Sequence, residues 1–134
     1  MFVDASALVA ILTDESARDA LLDRIDRDAG PITSALAIFE TVAALARKKA
    51  QSVTDARAQV EEFLAVSGIR VVPLAEAEGS ASLDAFERFG KGRGHPARLN
   101  MGDCFAYACA RVHGVPLLFV GDDFARTDIP AATA

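Results

Sequence analysis

The sequence predicts an α/β fold in which a central parallel sheet is covered on both faces by helices. Three observations point to it. Short apolar runs that read as strands alternate with longer segments whose apolar residues recur at helical spacing. The 134 residues suit one domain, 1–134, able to bury about 65–70% of its unfolded surface. Hydrophobic residues make up 51% and charged residues 25%, with a mean hydropathy of +0.23, which is rich enough in core formers to exclude a disordered or linker-like chain.

The first strand lies in "MFVDAS" and ends at Asp4, and a helix follows through Ala7 to Leu12. In "ESARDALLDRIDRD", Ala17, Leu21, Leu22 and Ile25 make the apolar stripe of an amphipathic surface helix, which Gly30 and Pro31 stop. "PITS" is a short extended segment whose Ser34 can cap the helix "ALAIFETVAALARKKA"; that helix ends in basic residues, as a helix C-terminus favours. A helix from about Thr54 to Val66 precedes the strand "GIRVVPL", which Pro73 closes, and another helix runs from about Ala75 to Phe89. The glycine-rich basic loop "GKGRGHPARLN" holds no regular element and is exposed. The helix "MGDCFAYACARVHG" follows with Gly114 at its C-cap, then the strand "VPLLFVGDD", and the tail "IPAATA" is expected to fray.

The N-terminus lacks a basic leader region and its apolar run is broken by Asp4 and "TDES", so neither a signal peptide nor a membrane span is expected and the cytosol is the default location. Cys104 and Cys109 point in different directions from one helix and read as buried reduced thiols. A net charge of -5 excludes binding of nucleic acid through a broad basic surface. It leaves room for a nucleic-acid enzyme whose acidic site holds cations.

Four carboxylates stand in unusual places. Ligands of a parallel sheet collect beyond the carboxyl ends of its strands, where Asp4 follows the first strand and Asp122 the last. Each also has an ordinary reading, Asp4 as a helix cap and Asp122 or Asp123 as a turn former. Glu40 has Leu36, Ala37, Ala43 and Ala44 as its helical neighbours, so a carboxylate sits on a small apolar face; it must be paired, for instance with an arginine, or protonated, or bound to metal. Asp103, among Leu99, Ala106 and Tyr107, repeats the pattern, and Gly102 beside it permits close packing; the first turn of a helix also favours an aspartate by roughly 0.3–1 kcal/mol. Carboxylates gathered at short range repel by about 4 kcal/mol per pair at an effective dielectric of 20, so a site of four needs protons or cations. Magnesium or manganese suits such oxygen donors, and no His or Cys cluster offers a zinc site; His113, near a helix end, reads as structural.

Taken together, "MFVDASAL", Glu40 within "SALAIFETVAAL", "HPARLNMGDCFAYACA" and "LLFVGDDFARTDI" resemble the PIN-domain ribonucleases, and among them the VapC toxins of type II toxin–antitoxin pairs, over essentially the whole chain. The resemblance implies a three-layer α/β/α domain and a magnesium-dependent endoribonuclease acting on tRNA or rRNA. It implies Asp4 and Asp103 as metal ligands, Glu40 as a third acidic member and Asp122 as the fourth, with Asp123 its rival. Ser6 resembles a hydroxyl residue that orients groups at such sites, or is a second helix cap. Lys91, Arg93, His95 and Arg98, just ahead of Asp103, are expected to guide the RNA backbone, or form a solvated loop. The implied partners are a small VapB-type antitoxin, whose C-terminal segment lies in a groove beside residues 15–66, and a second copy of the chain in a homodimer. Two other classes stay open. "DAS" and "GDDFARTD" are also similar to haloacid-dehalogenase-like phosphatases, although those want an aspartate where this chain has Ser6, and a non-catalytic partner-binding module would not use the acidic set at all.

Overall fold

The structure is a computed structural model that describes residues 1–132. Its sheet has four parallel strands, β1 (Phe2–Val3), β2 (Ile32–Ser34), β3 (Arg70–Val72) and β4 (Leu117–Leu118), in the order β3-β2-β1-β4. The helices are α1 (Ala5–Leu12), α2 (Arg18–Asp26), α3 (Ala35–Lys48), α4 (Val53–Val66), α5 (Glu76–Phe89) and α6 (Met101–His113). From β1 the chain builds outward on one side through β2 and β3, then returns to the other side as β4. The strand order therefore reverses between β1 and β4, the place where a crevice opens at the strands' carboxyl ends.

Side-chain alternation along the strands creates two cores. Phe2 pairs in register with Ile32 and Leu117, and these three face a core completed by Ala85 and Phe89 of α5 and Cys104 and Tyr107 of α6. Val3 and Leu118, the next registered pair, face the opposite core with Leu8 and Ile11 of α1, Ile25 of α2, Leu45 of α3 and Val60 of α4. The sheet is thus the middle of three α/β/α layers, as expected. Both thiols are buried and free, and burial pushes Cys104 up to about 11 and Cys109 to about 12, which keeps them protonated and inert.

The elements fall close to their expected bounds, with three differences. The second helix begins at Arg18 rather than Glu15, because the chain first turns through Asp14 at φ 58. The last strand pairs only at Leu117–Leu118, and Gly121 at φ 106 then swings the chain away from the sheet. The tail does not fray through Ala132. Ala132 donates to the carbonyl of Leu117 at 2.8 Å, Leu117 donates to that of Pro130 at 2.9 Å, and Ile129 is buried. Asp128 anchors this return, receiving hydrogen bonds from the Tyr107 hydroxyl, Arg88 and Arg111. The remainder of the tail, Thr133 and Ala134, lies outside the described residues. The basic loop is exposed at Lys91, Arg93 and Arg98, yet it is closed at its base by a bridge between Gly90 and Leu99.

Phe2 is fully buried between two neighbouring strands. Phe2→Ala is expected to cost about 3–5 kcal/mol, a large part of a domain's stability, and to appear in urea titration as a lower midpoint at an unchanged slope.

Candidate active site

Three elements bring three carboxylates to the crevice. Asp4 leaves the end of β1, where its N–H donates to the Leu118 carbonyl of β4 at 3.0 Å. It is both the N-cap of α1 and almost completely buried. One of its oxygens accepts from the Ser6 N–H at 3.0 Å and from the Ser6 hydroxyl at 2.6 Å. That hydroxyl in turn accepts from the Val120 N–H at 3.0 Å, so Ser6 locks Asp4 to the chain leaving β4. Burial raises the Asp4 pKa, outweighing these hydrogen bonds.

Asp103 sits in the first turn of α6 in a reciprocal cap. Its N–H donates to the Asn100 side chain at 2.8 Å, and its Oδ2 accepts from the Asn100 N–H at 3.1 Å. The ordinary reading of this aspartate as a first-turn cap is what the structure shows, and the cap bond through Oδ2 fixes the direction of the carboxylate. Burial pushes its pKa up to about 6; the cap bond opposes this, and the charges of Asp4 and Asp123 add to it.

Glu40 approaches from α3. The arginine partner considered for it does not exist among the described residues. Burial first, then the charges of Asp4 and Asp103, push it up to about 7. Its carboxylate rests against Gly102, where a Cβ would fall 2.1 Å from Oε2, so the Glu40 carboxylate can hold this position only because residue 102 has no side chain.

Asp122 and Asp123 are both exposed on the turn after β4, and of the two it is Asp123 whose charge acts on Asp103. Among the described residues no three His, Cys, Asp or Glu side chains close around a common point as a finished metal cage would. The donor set still fits a hard divalent cation. It is made of oxygen alone, and its members raise one another's pKa, a repulsion that a dication would remove.

An open cleft of about 640 Å³ begins at this cluster, lined by Ser6, Glu40, Asn100 and Val120, and continues past Ala43 and Ala44 to Arg47 and Lys48. None of Lys91, Arg93, His95 and Arg98 of the basic loop lines it. Arg93 lies over the Phe86 ring at 5.9 Å, and His95 accepts from the Ala97 N–H at 3.0 Å and packs edge-on against Phe89, which makes it a loop-shaping residue. His113 pairs with Glu78 at 3.7 Å, the structural part expected of it. Asn100, Arg47 and Lys48 were not singled out by sequence reasoning. The available signal was the spacing 40, 43, 44, 47 and 48, one continuous face of α3.

Comparison with known proteins gives the chain's family and fold. Residues 1–130 match the PIN domain family. A VapC ribonuclease of Rhizobium meliloti is 40% identical, covering 96% of this chain and 98% of its own length. Ribonuclease VapC42 of Mycobacterium tuberculosis is also 40% identical, over 99% of this chain and all of its own. Among solved structures, the Mycobacterium tuberculosis toxin VapC20, described as cleaving the sarcin-ricin loop, superposes with a TM-score of 0.77 at 17% identity, covering 99% of this chain and 98% of its own. A toxin–antitoxin complex from Klebsiella pneumoniae has a TM-score of 0.66 at 16% identity, covering 92% and 89%. Neither a phosphatase nor a bare binding module accounts for this, and the hydroxyl that Ser6 gives to Asp4 stands where the phosphatase would need its second carboxylate. The chain belongs to the PIN-domain family and is one of its VapC ribonucleases, the toxin component of a toxin–antitoxin system.

Proposed function

We propose that Asp4, Glu40 and Asp103, with Asp123 as the fourth carboxylate, hold magnesium or manganese and cut RNA phosphodiester bonds internally, tRNA and rRNA being the expected targets. The gathering of these carboxylates carries this reading: beyond burial, Asp4 and Asp103 raise Glu40 while Asp4 and Asp123 raise Asp103, and groups held together against such repulsion point to a cationic ligand. Asp123 is preferred to Asp122 because its charge is the one felt at Asp103. A divalent ion in such a site supplies an acidified water and neutralises charge developing on the phosphate. The chain's own residues prepare the place. Ser6 and Val120 hold Asp4, Asn100 aims Asp103, and Gly102 admits Glu40. Lys91, Arg93 and Arg98 lead by an exposed loop to Asn100 and can meet RNA on that side.

Two apolar surfaces support the proposed partners. A groove of about 510 Å³ between α3 and α4, lined by Ile38, Phe39, Val42 and Val53, shares Phe39 and Ala43 with the acidic cleft. A VapB-type antitoxin segment lying there would reach across the site. On another side Leu83, Phe86 and Met101 are exposed around a hollow between α5 and α6, a face suited to a second copy of the chain. The cytosol, where RNA is met and thiols stay reduced, is the proposed place of action.

Protein freed of antitoxin is expected to cleave structured RNA with magnesium or manganese, leaving 5′-phosphate and 3′-hydroxyl ends, and to stop in EDTA. Asp4→Asn should lower the rate by more than ~100-fold, since even residues that merely orient metal ligands are worth 10–100-fold. Because Asn also caps a helix, the variant's metal-free melting temperature should match or exceed that of the wild type. Cleavage persisting in EDTA, or at full rate in the variant, contradicts the site.

The pH dependence has a definite sign. Folded Glu40 at about 7 and Asp103 at about 6 keep protons that their ordinary values of 4.5 and 3.8 would release. The metal-free fold is therefore favoured at the acidic end of that window and loses stability as pH rises through it. Glu40→Gln should flatten the melting profile and, at roughly pH 8 without metal, melt higher than wild type by about 2–8 °C, corresponding to ~1–2 kcal/mol after solvent screening. Parallel profiles for the two proteins would contradict the coupling. For the second copy, light scattering at micromolar concentration is expected to give twice the chain's 14.1 kDa, with Phe86→Asp shifting it towards the monomer.

A further inference from the structure

We propose that Arg47 and Lys48 form a phosphate-binding subsite that grips the RNA backbone at a phosphate beside the one being cut. The inference rests on the ribonuclease reading and adds a part to it. Glu40, Ala43, Ala44, Arg47 and Lys48 occupy one face of α3 and line one cleft, with the carboxylate at one end and the two cations at the other. Seven residues of helix at 1.5 Å rise separate Glu40 from Arg47 by about 10 Å. Between them Ala43 and Ala44 present only methyl groups, so a backbone can lie close along the floor.

The subsite answers a problem the acidic cluster creates. A polyanion approaching Asp4, Glu40, Asp103 and Asp123 is repelled, and the chain as a whole carries a net charge of -5. Before any metal is bound, cations in the same cleft offset this, and none of Lys91, Arg93, His95 and Arg98 lines it. Their charge is available. Among the described residues no ion pair engages Arg47, and Lys48 meets only Glu15, at 3.6 Å with both side chains largely exposed, a contact of little energy. Glu15 lines the same cleft and competes with the phosphate for Lys48. Position at a helix C-terminus accounts for a preference for cations there, but not for their sharing a cleft with Glu40.

RNA is favoured over the antitoxin as occupant because the groove suited to a peptide is the apolar one between α3 and α4, which neither Arg47 nor Lys48 lines.

The test uses the whole protein without antitoxin and a synthetic single-stranded RNA labelled with a fluorophore. Binding is read by anisotropy in EDTA over a range of KCl concentrations, and cleavage kinetics are read in magnesium. Arg47→Ala with Lys48→Ala is expected to weaken binding about tenfold, corresponding to ~1.4 kcal/mol. The slope of log affinity against log salt should become shallower by about 0.7 per cation removed, and the catalytic loss should fall on KM rather than kcat. Glu15→Gln should act in the opposite direction, tightening binding about twofold. An unchanged melting temperature in the double variant shows that it folds. Unaltered RNA affinity and salt slope overturn the proposal, as does weakened capture of the antitoxin with RNA binding intact, which would assign the cations to the antitoxin. A wild type that binds through these residues but does not cleave in magnesium fails the metal site while upholding the subsite; one that neither binds nor cleaves overturns both.

Discussion

Burial of the Asp4 carboxylate at the end of β1 is the constraint on which the rest of the molecule is arranged. A desolvated carboxylate needs donors, and Ser6 supplies two of them to a single oxygen. Supplying them forces the first turn of α1 to begin directly after the strand. It also gives the Ser6 hydroxyl an acceptor's duty toward the Val120 N–H, which fixes the chain leaving β4. A helix start, a strand exit and a site residue are thereby set by one group. Glu40 and Asp103 are then brought toward it by α3 and α6, helices that owe their positions to the two cores of the sheet rather than to the site. Packing provides the force that holds like charges together.

That division shows where stability and activity part. Most buried polar groups here satisfy themselves in ordinary ways: Thr41 bonds back to the Ala37 carbonyl, Thr33 to Val3, and Ser34 caps α3. The carboxylates at the crevice are the exception. Asp103 is half committed to its cap, and Glu40 is raised by burial first and then by the negative charges of Asp4 and Asp103, with no cation among the causes. A cluster retained against its own electrostatics marks the part of the fold shaped by something other than folding.

Much of this was legible in the sequence because it is written locally. Ser34 before an apolar helical run, Gly114 after one and Pro73 at the close of a strand each act within a few residues, and each was found where expected. Glu40 was legible for a related reason, since its helical neighbours are nearly all small and apolar. What could not be read depends on meetings between distant segments. Ser6 bonding to Val120, the tail pairing with Leu117 and Asp128 held by Arg88 and Arg111 are contacts across many residues that no local pattern announces. The choice between Asp122 and Asp123 is of this kind as well. A turn of one residue more or less decides which carboxylate's charge is felt at Asp103, and the left-handed Gly121 lies just ahead of them.

Gly102 carries a consequence at the level of the gene. Any residue with a side chain at this position places a carbon where the Glu40 carboxylate now lies, while Gly102 itself makes no hydrogen bond through a side chain that the fold could lose. Each single-base change that alters this codon to another amino acid therefore displaces the Glu40 carboxylate first. Under the proposed role of Glu40, this is a short evolutionary path to a disarmed allele. Under the proposed docking, such a chain keeps the apolar groove between α3 and α4 and with it the seat of the antitoxin, so a harmless copy within a population of active ones becomes a sink for their inhibitor.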